Sequence, residues 1–201
     1  MGKVVHLRKV LDFAKVTPVF RPRDVELIVK DRGYAHLLLH NLVGSGRLVR
    51  YFRGWYGLRD DPTLSVFTFK PAYLGLQEAL SIRELWEQET VPVVITTLRV
   101  RTGIRSVAGG NLLVRHLAER YFFGYDFLKY GDFYVPVSDP EKTLIDFVYY
   151  KEAIVEEALE GLLKRANRAV LLKYLRPYPQ ALKRRVMRVF EGGASSGTGE
   201  R

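Results

Sequence analysis

Eight side chains between residues 32 and 53 have the types and spacing to read a nucleic acid. Tyr34, His36, His40 and Asn41 recur at positions that share one side of a helix over Tyr34–Val43, Arg32 stands in the turn just before it, and Arg47, Arg50 and Arg53 follow within the next twelve residues. Arginine and histidine donate to phosphates and base edges, and asparagine can pair bidentately with adenine. Arg53 stands beside Gly54 between two β-rich runs, Arg47–Tyr51 and Trp55–Leu58, which predicts an arginine at a hairpin tip. It would meet phosphate, or the minor groove if the hairpin reaches that far. The plain alternative for each residue is a solvated surface group.

Other constellations invite a chemical reading and lose it. His36 and His40 are four apart and could share a metal, but Leu37 stands where a metalloprotease helix needs its glutamate, and no third ligand is in view. No metal, other cofactor or catalytic residue is expected. His6 and His116 show no partner in the sequence. Glu141, Lys142 and Asp146 look like a catalytic cluster, yet Ser138-Asp139-Pro140-Glu141 has the form of a capping box, and Lys142 and Asp146 have the spacing of a helical ion pair. Nucleotidyl transfer would need Gly-Ser followed by Asp-x-Asp to hold magnesium around a triphosphate. Gly44-Ser45 instead ends a helix, and the nearest acidic pair is Asp60-Asp61. No Gly-Lys-Ser/Thr phosphate loop occurs. The chain is therefore not expected to be an enzyme.

The elements that must position the eight residues follow from patterning. Residues 3–15 are apolar at helical spacing until Thr17-Pro18 breaks the run, and Pro22 opens a second helix whose buried side should hold Val25, Leu27, Ile28 and Val29. After the turn Asp31-Arg32-Gly33, a third helix beginning near Tyr34 should bury Ala35, Leu38, Leu39 and Leu42, then stop at Gly44-Ser45-Gly46. Helix, helix, short turn, helix and hairpin is the order of a winged helix-turn-helix, which presents its third helix to the major groove. Charge agrees. Residues 1–60 carry 12 Lys or Arg against 5 Asp or Glu, a surplus of 7, and residues 61–201 carry 20 against 17, a surplus of 3. A net charge of +10 concentrated in the first third suits a polyanionic partner.

Beyond the Asp60–Thr63 linker, a second domain is expected over residues 61–191, of mixed α/β type, making the whole chain α+β. It should open with a strand at Ser65–Phe69 and a helix from Pro71 to Trp86, and Glu89–Pro92 should lead into a strand at Val93–Thr97. Further strand-like runs lie at Arg105–Val107, Asn111–Leu117 and Tyr121–Phe127, punctuated by glycines. Residues 151–191 read as helical, in segments divided near Asn167 and at Pro177–Pro179. Residues 192–201, rich in Gly, Ser and Thr, read as a disordered tail. Lys183, Arg184, Arg185 and Arg188 beside Val186, Met187 and Val189 suggest an amphipathic helix covering the core, or else a further nucleic-acid or dimer contact. With no cysteine, disulfides, thiolate zinc sites and cysteine nucleophiles are excluded. No apolar run reaches the length of a membrane span, and the N-terminus lacks the apolar core of a secretory signal, so a cytoplasmic protein is expected.

These residues resemble the AbiEi-type antitoxins of type IV toxin–antitoxin systems. Gly46–Arg50 and Arg53–Tyr56 are similar to the winged-helix domain of that family. Pro71–Leu80 looks like its next helix, Val94–Thr97 like the strand after it, and Pro140-Glu141-Lys142-Thr143-Leu144-Ile145-Asp146 like its Glu-Lys-Ala-Leu-x-Asp signature. Gly75 stands where a serine is usual and Thr143 where an alanine is usual. The resemblance spans roughly residues 15–190. It implies a transcriptional repressor that binds double-stranded DNA at repeats in its own promoter, with a nucleotidyltransferase-like toxin from the same operon as partner. A stand-alone regulator without a toxin, or an interaction protein that neutralises a toxin through its second domain, are the other readings.

Overall fold

Pro18 stops the first helix and Pro22 starts the second, so the chain turns back on itself within a few residues. The computed structural model describes residues 2–88 and 91–196. It places α1 at Gly2–Val16, α2 at Pro22–Val29 and α3 at Arg32–Gly44, then a hairpin of β1, Val49–Phe52, and β2, Trp55–Gly57. Val10, Ala14, Phe20, Val25, Val29, Ala35, Leu38, Leu39, Leu42 and Leu48 close a small core among them. Phe20 joins the hairpin edge by exchanging backbone hydrogen bonds with Tyr56 at 2.8 and 2.9 Å. This is the winged-helix order. Leu27, expected inside, is 79% exposed. At 100° per residue it falls some 160° from Val25 and Val29.

Eight strands occur among the described residues, and six form one mixed sheet. Its strands are β3 (Ala72–Leu74), β4 (Val93–Thr96), β5 (Gly103–Val107), β6 (Gly110–His116), β7 (Tyr125–Tyr130) and β8 (Phe133–Ser138), in the order β5-β6-β4-β3-β8-β7. The central pair β3/β4 is antiparallel, the pairs on either side of it, β3/β8 and β4/β6, are parallel, and the outer pairs are antiparallel. Strand alternation gives the sheet two buried faces. Tyr73, Val93 and Ile95 face α5 (Pro140–Tyr150), α6 (Glu156–Arg165), α7 (Arg168–Tyr174) and α8 (Gln180–Ser196). Leu74, Val94, Val114, Val135 and Val137 face the opposite way, toward Leu64 and Val66 and, from the N-terminal unit, Val19 and Tyr51. The hairpin thus lies over the second face of the sheet, and its apolar underside shares a core with residues beyond 60.

Several expectations for the second domain are corrected. Residues 62–68 form a 3-10 helix instead of a strand, because Asp61 caps it by accepting from the Thr63 amide at 2.9 Å and Pro62 fixes its first residue. The helix expected from Pro71 to Trp86 is the central strand β3 followed by the short α4, Gln77–Ile82. An apolar run of three residues cannot be told from a buried helix by periodicity. A Cβ at Gly75 would lie 2.4 Å from Ile95 Cδ1, so a serine there would require Ile95 to move. The run Tyr121–Phe127 splits into a 3-10 turn, Glu119–Tyr121, and the start of β7, while β8 was hidden by Pro136. The cap of α5 is Asp139 and not Ser138. Asp139 accepts from the Lys142 amide at 2.7 Å, and Ser138 ends β8 with its hydroxyl 2.7 Å from that of Thr143. Glu141 reaches across to the Asn167 amide at 2.5 Å, where it ties the start of α7 to α5. α8 continues helical through Ser196, so 192–196 are not a disordered tail; residues 197–201, like Glu89 and Thr90, lie outside the described residues. Among the described residues no helix is long and apolar enough to cross a membrane.

Candidate nucleic-acid interface

α3 is presented by its two ends. Lys30 takes a left-handed conformation, φ 58°, and ends α2, and Asp31 caps α3 by accepting from the Tyr34 amide at 2.7 Å. Helix α3 therefore starts at Arg32, two residues before the position expected for it. At its far end the Ser45 amide donates to the Asn41 carbonyl at 3.0 Å, and the Ser45 hydroxyl donates to the Leu42 carbonyl at 3.2 Å. Gly46 then supplies the positive φ that turns the chain into the hairpin. Gly44-Ser45 is thus occupied in helix termination.

Between those ends Ala35, Leu38, Leu39 and Leu42 are buried, and Arg32, His36, Leu37, His40 and Asn41 are exposed. No Asp or Glu lies within α3, and the adjacent Asp31 carboxylate is engaged at the cap. Leu37 is 55% exposed near the middle of the polar side. Its helical phase places it there, while an apolar side chain carries no donor or charge that would mark it as a site residue in the sequence. On a helix in the major groove such a side chain meets thymine methyls. Tyr34 is only half-buried, with its ring 5.8 Å from His6, so α1 supports the near end of the face.

The wing carries the remaining cations. Arg50 and Arg53 are exposed on β1 and at the turn, and Arg47 is exposed where the chain leaves α3. Gly54 holds φ 77° in open space, which frees the tip to approach a ligand. The base of the wing is closed. A Cβ at Gly57 would lie 2.7 Å from Tyr51 Cε2 and 2.8 Å from the Pro18 carbonyl. The Tyr51 hydroxyl donates to the Arg59 carbonyl at 2.7 Å, and burial pushes its phenol up. Arg21 stacks its guanidinium over Trp55 at 4.2 Å. Seven of the eight candidates are exposed along α3 and the wing, and the eighth, Tyr34, packs at their margin.

Lys142 and Asp146 form an ion pair with both side chains fully buried, and the Tyr73 hydroxyl donates to Asp146 at 2.8 Å. The Lys142 ammonium also lies over the Tyr73 and Phe123 rings, at 5.5 and 5.8 Å. Burial lowers the ammonium and raises the carboxyl, moving both toward their neutral forms. A substrate could reach this pair only if the core opened, so its place is structural. His36 and His40 are both exposed, and among the described residues no three His, Asp or Glu side chains gather as a metal site.

Three helices, the third without Asp or Glu, and a hairpin, mounted on a six-stranded mixed sheet backed by helices, define a winged-helix protein of α+β class. The fold is similar to the crystal structure of the Rv2827c protein from Mycobacterium tuberculosis, with a TM-score of 0.65 at 13% identity, covering 94% of this chain and 77% of that one. At that identity the likeness is one of fold. No family model matches the chain, and no curated protein matches it.

Proposed function

We propose that this chain is a sequence-specific DNA-binding repressor that works in the cytoplasm as the antitoxin of a type IV toxin–antitoxin operon. The observation that carries the DNA-binding part is the acid-free, exposed side of α3 running toward the wing arginines. α3 would lie in the major groove, with Arg32, His36, Leu37, His40 and Asn41 toward base edges. Arg47, Arg50 and Arg53 would hold the backbone or enter the minor groove. The role is one of binding, not of catalysis. The antitoxin part rests on the resemblance of residues 15–190 to AbiEi-type proteins, and its partner would be a nucleotidyltransferase-like toxin from the same operon.

A mobility-shift titration on the duplex upstream of the chain's own gene tests the first part. Between about 50 and 200 mM salt, specific binding should persist over competitor DNA while affinity falls steeply as counterions are released. Binding no tighter than to scrambled duplex at low salt overturns the repressor. Co-expression with the neighbouring gene tests the second part: a toxic neighbour whose effect this chain relieves supports it, and a harmless neighbour leaves a stand-alone regulator.

A further inference from the structure

We propose that the face formed by α7 and α8 is a docking groove for an acidic amphipathic helix of a partner protein. Charge is unevenly distributed within the second domain. Residues 61–167 carry 12 Lys or Arg against 15 Asp or Glu, whereas residues 168–190 carry 7 against none. The basic surplus of the second domain therefore lies on its last two helices, as a second cationic surface separate in sequence from the α3 face.

Two of those seven cations have local work. Arg168 pairs with Glu191 at 3.3 Å, and Arg185 donates to the Val148 carbonyl at 3.2 Å near the end of α5. Among the described residues Lys173, Arg176, Lys183, Arg184 and Arg188 have no carboxylate partner. Arg176, Lys183 and Arg184 border a depression of about 320 Å³ between α7 and α8. Its floor is apolar. Leu175 is buried at the bottom, Met187 is half-buried, and Leu172 is 42% exposed.

That combination selects the occupant. A phosphate backbone rewards exposed cations but gains nothing from an apolar floor, whereas a helix with apolar residues at i, i+3, i+4 and i+7 and acids beside them satisfies both. Leu172 and Leu175 supply the contact area, and a flexible methionine adapts to the side chains that enter. Rim cations add little affinity each, but they fix the orientation of an acidic helix and speed its encounter. The groove does not depend on the DNA-binding reading of α3.

The test is a display selection of peptides of roughly four helical turns against the full chain, followed by anisotropy titration of the enriched peptides and of a non-operator duplex. Enriched peptides should carry acids flanking an apolar stripe at helical phase. Binding should weaken at least about tenfold in K183E/R184E and about fivefold in L172S, with the urea unfolding midpoint little changed in both. Enrichment without that phase, or no enrichment above an unrelated protein of equal charge, overturns the proposal. Peptide binding that both variants retain also overturns it. If K183E/R184E loses duplex binding and keeps peptide binding, the face is a nucleic-acid surface and the proposal falls.

Discussion

Phe52 of the wing meets Phe69 of the second domain edge-on, with ring centroids 5.4 Å apart. The N-terminal unit is thereby fixed to the sheet through the same strand that carries Arg50. Arg105 adds its guanidinium 5.5 Å from the Phe69 ring, so β5 closes over the joint. With the wing anchored there, α3 and the hairpin keep one orientation relative to the sheet.

That contact predicts a measurable coupling. Phe69→Ala removes a buried ring and should cost about 3–5 kcal/mol of stability. Phe52→Ala removes a half-buried one and should cost less. In a double-mutant cycle read by urea unfolding, the pair should show about 0.5–1.5 kcal/mol of interaction. Strictly additive effects would mean that the wing is not held by this contact.

Arg53 sits at the exposed wing tip beside Gly54, with no acidic neighbour in the hairpin. Arg53→Ala should weaken operator and non-operator DNA alike and reduce the slope of log affinity against log salt by about 0.9. An unchanged slope would place Arg53 outside the interface. Leu37→Ala should behave differently, with affinity falling for the operator and the salt slope staying the same, since its contact would be to bases.

The contrast between the two halves shows what the sequence could carry. α3 was legible because its signals are local: a helical period, Asp31 before it, and glycines after it. Phe52 gave no such signal. Its partner Phe69 lies at the end of a segment that composition marked as a strand, and only the Asp61 cap and Pro62 turn that segment into a 3-10 helix. β3 failed for a related reason, since Ala72-Tyr73-Leu74 is buried on both sides and so has no alternating pattern to read. The spacing of Lys142 and Asp146 was readable, but their burial depends on Tyr73, 69 residues before Lys142 in sequence and brought to them by the sheet. The cations of α7 and α8 are masked in the domain's net charge by the 15 acids of residues 61–167.

Breaking the buried pair should be costly and replacing it cheap. Lys142→Met strands the Asp146 carboxylate in the core and should destabilise by about 3–5 kcal/mol. Adding Asp146→Leu alone would leave the Tyr73 hydroxyl without an acceptor. The triple variant K142M/D146L/Y73F removes every polar member and should recover most of the loss in urea unfolding. A triple variant as unstable as the single one would show that the pair contributes more than it costs to bury.

Alkaline pH should unfold the chain through its tyrosines. Burial is the largest cause raising the phenols of Tyr51, Tyr73, Tyr150 and Tyr178 above their ordinary value of 10.0, with the Asp61 charge adding at Tyr51 and the Asp146 charge at the other three. Above that pH the unfolded chain releases these protons while the folded chain keeps them. The folded state then binds more protons, and stability falls as pH rises. Below pH 10.0 the contribution is fully present, and each such tyrosine removes at most about 1.4 kcal/mol per pH unit above it. Urea midpoints should therefore be flat near neutrality and drop steeply beyond pH 10, with the part of the tyrosinate absorbance that belongs to these buried phenols appearing only on unfolding. If all twelve tyrosines ionise while the fold persists, the buried phenols are open to solvent and the packing around Tyr73 and Tyr178 is looser than their exposures of 0% and 3% describe.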